Sequence, residues 1–271
     1  MNRLAAFTIA ALFCFSGFSI AEEIDPQATP AARIHAIEQA HHASIYDQQS
    51  SVTADFEIKF GPMEARGEMV FPPSMGKVRM RFRHGHIVFF DGQTAWISDF
   101  AVSDATVKIP GPPARFHVLT WPYFLAAPYK LNDPGTRLSD AGMLPVREGQ
   151  TLRGTKVTFD SGVGDTPDDW YIAFADPQTG RLSALAYIVT FGTSPEEAEQ
   201  TPGIILYDDF VDIDGVPFAT TWTFHHWNPT DGIHGEPKGH GKLTNLAFVE
   251  RAAAFFEKPA FSVEAAMPGQ Q

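Results

Sequence analysis

From residue 51 onward the apolar residues recur at every second position. Val52, Ala54, Phe56, Ile58 and Phe60 alternate with Thr53, Asp55, Glu57 and Lys59, a period that places one set on each face of a strand. The same period returns in Ala65, Gly67, Met69 and Phe71. It is strictest over 77–83, where Val78, Met80 and Phe82 face one way and Lys77, Arg79, Arg81 and Arg83 the other. Residues 86–90 and 94–98 flank Asp91-Gly92-Gln93, whose Asp-Gly pair supplies the positive φ of a tight hairpin. Strands joined by such short turns form an antiparallel meander.

The second half repeats the pattern with more apolar strands. Residues 170–175 and 182–191 flank the turn DPQTG, residues 204–213 and 216–227 flank Asp214-Gly215, and 242–248 read as a final strand. Here Ile204 and Leu206 oppose Ile205, Tyr207 and Val211, so both faces must be covered, by sheet curvature, packed helices or a ligand. Residues 26–49 read as one amphipathic helix, with Thr29-Pro30 as its start and Ile34, Ile37, His41 and Ile45 on one side. Between the halves lies an apolar segment, residues 110–130, in which Pro122 and Pro128 are expected to leave two short helical turns. Such a segment serves equally as a lid on a concave sheet or as an ordinary core helix. No internal repeat or linker divides the chain, so residues 22–271 are expected to form one domain.

The first 23 residues, MNRLAAFTIAALFCFSGFSIAEE, have the layout of a secretory signal peptide over 1–21. A basic residue precedes an apolar run, and small residues precede a cut after Ala21. The run is too short to span a bilayer. Cys14 does not make a lipoprotein signal, because Phe13 stands where such signals require Gly or Ala. Cleavage removes the one cysteine, and it removes only Arg3 among the charged residues, taking the net charge from −12 to −13. The mature chain can form no disulfide, so apolar packing must hold it. Its acidity disfavours nucleic acid and anionic membranes as partners. No later window approaches the length of a transmembrane helix, which implies a soluble exported protein, periplasmic or extracellular, without a lipid anchor.

Chemistry-bearing residues form no recognisable motif. His84 and His86 share a strand face, His225 and His226 point oppositely, and His234 and His240 fall in a Gly-rich loop. There is no HExxH, no Cys pair and no metal-ligand spacing, so no metal or other cofactor is expected. Asp165, Asp168 and Asp169 lack the layout of a calcium loop and read as a turn into the Trp170 strand. Nucleophile elbows and phosphate loops are absent. A metal-dependent or hydrolytic enzyme would have to assemble His84, His86, His225 or His226 with Asp165 or Asp169. A non-catalytic interaction module would use an outer face and the 234–240 loop. The basic row of residues 77–83 is expected to be neutralised across the sheet by Asp55, Glu57, Glu64 and Glu68.

Aromatic and sulfur side chains carry the more specific expectation. Phe56, Met69, Met80, Phe82, Trp96, Trp170, Phe174, Trp222 and Phe224 lie on strands, with Trp121 and Phe124 on the Pro-containing segment. They make either a closed core or the wall of an apolar cavity. The segments FFDGQTAW (89–96), DPQTGRLSALAYIV (176–189) and YDDFVDIDGVPFATTWTFHHWN (207–228) resemble the LolA-like fold of outer-membrane lipoprotein carriers. GDTPDDWY (164–171), TWTFHHWN (221–228) and NLAFVE (245–250) are similar to a family of secreted bacterial proteins of unassigned function in that fold class. The resemblance implies a mainly β chain with a few helices. Its single curved antiparallel sheet, an unclosed β-barrel, would carry an N-terminal helix and short Pro-broken helices over its concave side. It also implies a carrier or binding protein holding a lipid acyl chain or another apolar molecule. Carriers of this fold tend to be basic or neutral, unlike this chain, so a sorting role is not implied with it.

Overall fold

The computed structural model describes residues 28–83, 85–99 and 113–265. The N-terminal apolar segment and His84 lie outside the described residues. Two helices come first, α1 (Pro30–Ala40) and α2 (Ala43–Tyr46). Thr29 caps α1, its hydroxyl accepting from the Ala32 N–H at 3.2 Å. A single helix over 26–49 does not form, because the chain breaks at His41-His42, where His42 adopts φ 54. The break lets His41 turn inward and bond two backbone groups. Its Nδ1 lies 3.2 Å from the Pro217 carbonyl, and its Nε2 accepts from the Leu182 N–H at 3.0 Å.

The first meander comprises β1 (Val52–Phe60), β2 (Met63–Phe71), β3 (Val78–Phe82), β4 (His86–Phe90) and β5 (Ala95–Asp99). Next come α3 (Ala114–Ala126), a 3-10 turn at Ala127–Tyr129, β6 (Thr136–Arg147), β7 (Gln150–Phe159), β8 (Tyr171–Ala175) and β9 (Leu182–Tyr187). Helix α4 (Pro195–Ala198), β10 (Gly203–Ile213), β11 (Val216–Asn228), β12 (Gly232–Phe248), a 3-10 turn at Ala253–Phe256 and β13 (Ser262–Glu264) complete the order. All these strands belong to one antiparallel, unclosed sheet in the order β13-β5-β4-β3-β2-β1-β12-β11-β10-β9-β8-β7-β6. Two sequential meanders thus meet along a β1·β12 seam, from Val52 opposite Phe248 to Phe60 opposite Gly239.

Three departures from the sequence expectation have local causes. Residues 234–240 form no loop. Strand β12 already begins at Gly232, and its glycines permit close approach, since a Cβ at Gly239 would lie 2.2 Å from the Lys59 carbonyl oxygen. Helix α3 runs through Pro122 without interruption, and the break falls at Pro128. Pro128 offers no N–H to the Phe124 carbonyl four residues before it, and the Tyr207 hydroxyl donates to that carbonyl at 3.1 Å instead. Strands β6 and β7 form without a continuous alternation, because register shifts at Asp140/Gly142 and Pro145/Arg147 interrupt the period.

Each face of the sheet has its own cover. On the concave side Phe56, Met69, Met80, Phe82, Trp222 and Phe224 pack with Val118, Trp121, Phe124 and Leu125 of α3. On the other side a smaller cluster joins Val146, Trp170, Ile172, Phe174, Ile204, Leu206 and Trp227. The far end of β6 lies back over that face, and Trp227 Nε1 donates to the Pro145 carbonyl at 2.8 Å. This fold-back explains why β10 is apolar on both sides. Elsewhere the outer face is charged: Arg81 stands opposite Glu68, Arg83 lies 3.7 Å from Glu57, and Lys59 lies 3.7 Å from Glu64. Arg79 is instead covered by the C-terminal segment, its guanidinium 4.3 Å from the Phe255 ring centre.

Candidate functional site

The concave side is not completely filled. A cavity of about 450 Å³ lies between α3, the β1–β2 turn, α4 and the ends of β9, β11 and β12. Its walls include Phe60, Met63, Phe116, Trp121, Phe124, Tyr187, Val189 and Phe224. A second cavity of about 290 Å³ lies on the other flank of α3, against the 159–171 segment. Phe116, Thr120, Phe124 and Val189 line both. The first three recur every four residues, so one stripe of α3 forms the partition. The larger volume falls in the usual range for small-molecule pockets, and the smaller lies at its lower edge.

Aromatic edges give the larger cavity a stiff wall. Phe60 and Phe224 meet at 5.4 Å between ring centres and Phe124 and Tyr187 at 5.5 Å, while Phe116 of the partition meets Phe191 of the smaller cavity at 5.2 Å. Trp121 Nε1 is satisfied by His117 Nδ1 at 2.8 Å, leaving its ring to face apolar neighbours. Burial pushes the hydroxyl of Tyr187 up from the ordinary tyrosine range. It therefore stays a neutral phenol rather than a charge.

Of the side chains expected to form the wall, Trp121, Phe124 and Phe224 line the larger cavity. Phe56, Met69, Met80, Phe82 and Trp222 are packed within the concave core deeper in the sheet, Phe56 and Phe82 meeting edge-on at 5.7 Å. Trp170 and Phe174 do not face the concavity, because they belong to the cluster under the β6 fold-back. Trp96 is also on the outer face, since Ala95 next to it points into the concave core. Its Nε1 donates to Asp91 Oδ2 at 2.9 Å, and Lys258 Nζ sits 3.8 Å from its ring centre. Alternation assigns a face but not the face's cover, which is why these three were misplaced. Phe60 and Met63 stand on the inner phase of β1 and β2 and were legible in principle. Lys238 had no such signal.

Helix α3 is held at its N-terminal end by Arg115. The guanidinium forms two bonds with Asp165, Nε to Oδ2 at 2.5 Å and Nη2 to Oδ1 at 2.7 Å, and Nη2 also donates to the Gln93 carbonyl at 2.9 Å. One side chain thus ties the lid helix both to the GDTPDDW segment and to the β4–β5 turn. Asp169 of the same segment accepts from the Thr190 N–H and hydroxyl, each at 2.7 Å, and from the Thr166 hydroxyl at 2.7 Å. Burial raises its pKa despite those bonds. The acidic segment is therefore a clasp, and more than the local turn expected from sequence.

Among the described residues His86, His225 and His226 form no metal-holding group with these carboxylates. His225 and His226 are lowered in pKa chiefly by burial, His225 next by Arg147 and His226 by Lys238. Asp165 and Asp169 are bonded within the clasp. Among the described residues no group of three or more His, Cys, Asp or Glu side chains could hold a metal ion.

An unclosed antiparallel half-barrel with a helix lying in its mouth is the LolA-like fold, and the chain has it. A LolA superfamily protein from Nitrosomonas europaea superposes with TM-score 0.53 at 10% identity, covering 85% of this chain and 98% of that one. A DUF1329 family protein from Desulfovibrio piger gives 0.52 at 12% identity, with 85% and 98% covered. A putative outer membrane lipoprotein-sorting protein domain from Vibrio parahaemolyticus gives 0.52 at 11% identity, with 82% and 95% covered. No family model and no curated protein sequence matches the chain. At these identities the likeness is one of fold. No described helix is long and apolar enough to cross a membrane.

Proposed function

We propose that this chain is an exported carrier or binding protein that holds a lipid acyl chain, or a similar apolar molecule, in the cavity beneath α3. The observation that carries the reading is the cavity of about 450 Å³, walled mainly by aromatic and aliphatic side chains at the edge of the buried concave core. Empty apolar space of this size forfeits dispersion contacts, and an apolar occupant restores them. Export rests on the layout of residues 1–21, with the working protein beginning at Glu22.

The test is native mass spectrometry of protein purified from the periplasm of its own cells, followed by solvent extraction. Bound lipid should be released, and the intact mass should fit a start at Glu22. Thr120→Trp places an indole at the partition between the two cavities and should lower the recovered lipid while leaving the fold intact. A ligand-free mass for the wild type, together with no uptake of added lipid, would sink the proposal.

A further inference from the structure

The chemistry of the cavity's rim goes further than its apolar wall. Among the described residues two charged side chains line the larger cavity, Glu197 and Lys238. Glu197 is already engaged: its carboxylate accepts from the Thr193 hydroxyl at 2.7 Å and the Ser194 N–H at 3.4 Å in a capping box. Lys238 is not. Among the described residues no carboxylate lies within ion-pair distance of it, and its Nζ rests 5.3 Å from the centre of the Phe60 ring. We propose, resting on the carrier reading above, that the ligand is an amphiphile with an anionic head, and that the Lys238 ammonium is the group that holds the head while the tail lies against Phe60, Trp121 and Phe224.

The backbone is built to aim this side chain inward. Gly239 stands opposite both Phe60 and Phe224, which point into the concavity. Strict alternation would therefore turn Lys238 outward. Between the pairs Phe224–Gly239 and His226–His234 the register shifts, and β12 carries more residues than β11. Such bulges re-aim a side chain, and here the side chain re-aimed is a cation at the edge of an apolar cavity. An ammonium in part withdrawn from water without a counter-ion is costly, and burial lowers the pKa of Lys238 from its ordinary value. An anion from the ligand offsets that cost. The smaller cavity offers no equivalent, because its Lys130 is paired with Asp133 at 2.8 Å.

The test compares ligands with one tail and different heads. Full-length mature protein is stripped of lipid and titrated below micelle formation with tetradecanoate, with tetradecanoyl lysophosphatidate, with uncharged tetradecanol, and with inorganic phosphate. Both anionic amphiphiles should bind roughly tenfold more tightly than the alcohol, as expected for a charge-assisted bond. Lys238→Met, which keeps the apolar stem, should bring the ratio of acid to alcohol affinity within that variant down to about one; Lys238→Arg should keep the ratio at about ten. A preference for one of the two acids tells a carboxylate head from a phosphate head. Equal affinity for acids and alcohol, or an undiminished acid preference in Lys238→Met, overturns this inference while the carrier reading stands. Competition by inorganic phosphate at the affinity of the amphiphiles also overturns it, because the site would then be one for a simple anion. Failure of every tailed ligand to bind overturns the carrier reading itself.

Discussion

Arg115 and Asp165 meet in a two-point ion pair at the N-terminal end of α3, with both side chains largely withdrawn from water. Removing one partner of such a pair strands the other charge. Arg115→Ala is expected to cost about 3 kcal/mol and to accelerate amide exchange in α3 more than elsewhere. Asp165→Asn should do the same more mildly, since the amide still accepts one bond. Exchange measured by mass spectrometry checks this, and uniform acceleration across the sheet would show that the pair supports the whole fold rather than seating the helix.

His41 gives the protein an acid limit. Burial pushes its pKa down from 6.5 to about 3, the Pro217 carbonyl acting in the opposite direction. The unfolded chain takes up this proton below about 6.5 and the folded chain only near 3. Stability from this group is therefore complete above 6.5 and is lost as pH falls, at about 1.4 kcal/mol per pH unit. Urea denaturation at successive pH values should show that slope in the wild type and a shallower one in His41→Phe. Identical acid slopes would refute the assignment.

Close strand approach makes one glycine costly to replace and leaves another free. A Cβ at Gly67 would lie 2.1 Å from the Arg81 carbonyl oxygen, whereas at Gly76 the nearest atom would be the Ser74 hydroxyl at 3.6 Å. Gly67→Ala is expected to cost about 1–3 kcal/mol, as overpacking does. Gly76→Ala should stay within about 0.5 kcal/mol. Thermal melts of the two variants decide it.

The β6 fold-back is held by apolar contact rather than charge. Val146 is buried, while Arg147 reaches Asp208 at 2.9 Å with both side chains 41% exposed. Val146→Ala should cost about 2 kcal/mol through lost burial and the space left behind. Arg147→Ala should cost under about 1 kcal/mol. The reverse order in denaturant titrations would mean that the ion pair is the clamp.

What could be read from sequence was set by how locally each feature is determined. The hairpins around Gly92, Gly180 and Asp214-Gly215 depend on a few residues in a row, and all three form with these positions at positive φ. Alternation fixed which side chains share a face in β1, β3 and β11. Which element covers a face is decided by distant chain, so nothing in the local pattern of Trp170 and Phe174 distinguishes the concave core from the cluster under the β6 fold-back. Pro122 misled because a proline penalty is weighed against the packing of a whole helix, and Val118, Trp121, Phe124 and Leu125 of α3 all reach the core. Lys238 was illegible for another reason. Its direction depends on a register shift between two strands, and no single strand's sequence encodes that.

The seam between β1 and β12 also sets a condition on how the molecule comes into being. Each meander can zip from its own turns, but the concave core belongs to neither alone. Among the described strands β1 is the first made and β12 nearly the last. Until they pair, both present unpaired edges beside exposed phenylalanines, the state most open to aggregation. Pairing across this junction is therefore expected to limit the speed of folding. Substitutions such as Gly239→Ala, which obstruct it, should slow the arrival at the native state as well as weaken it.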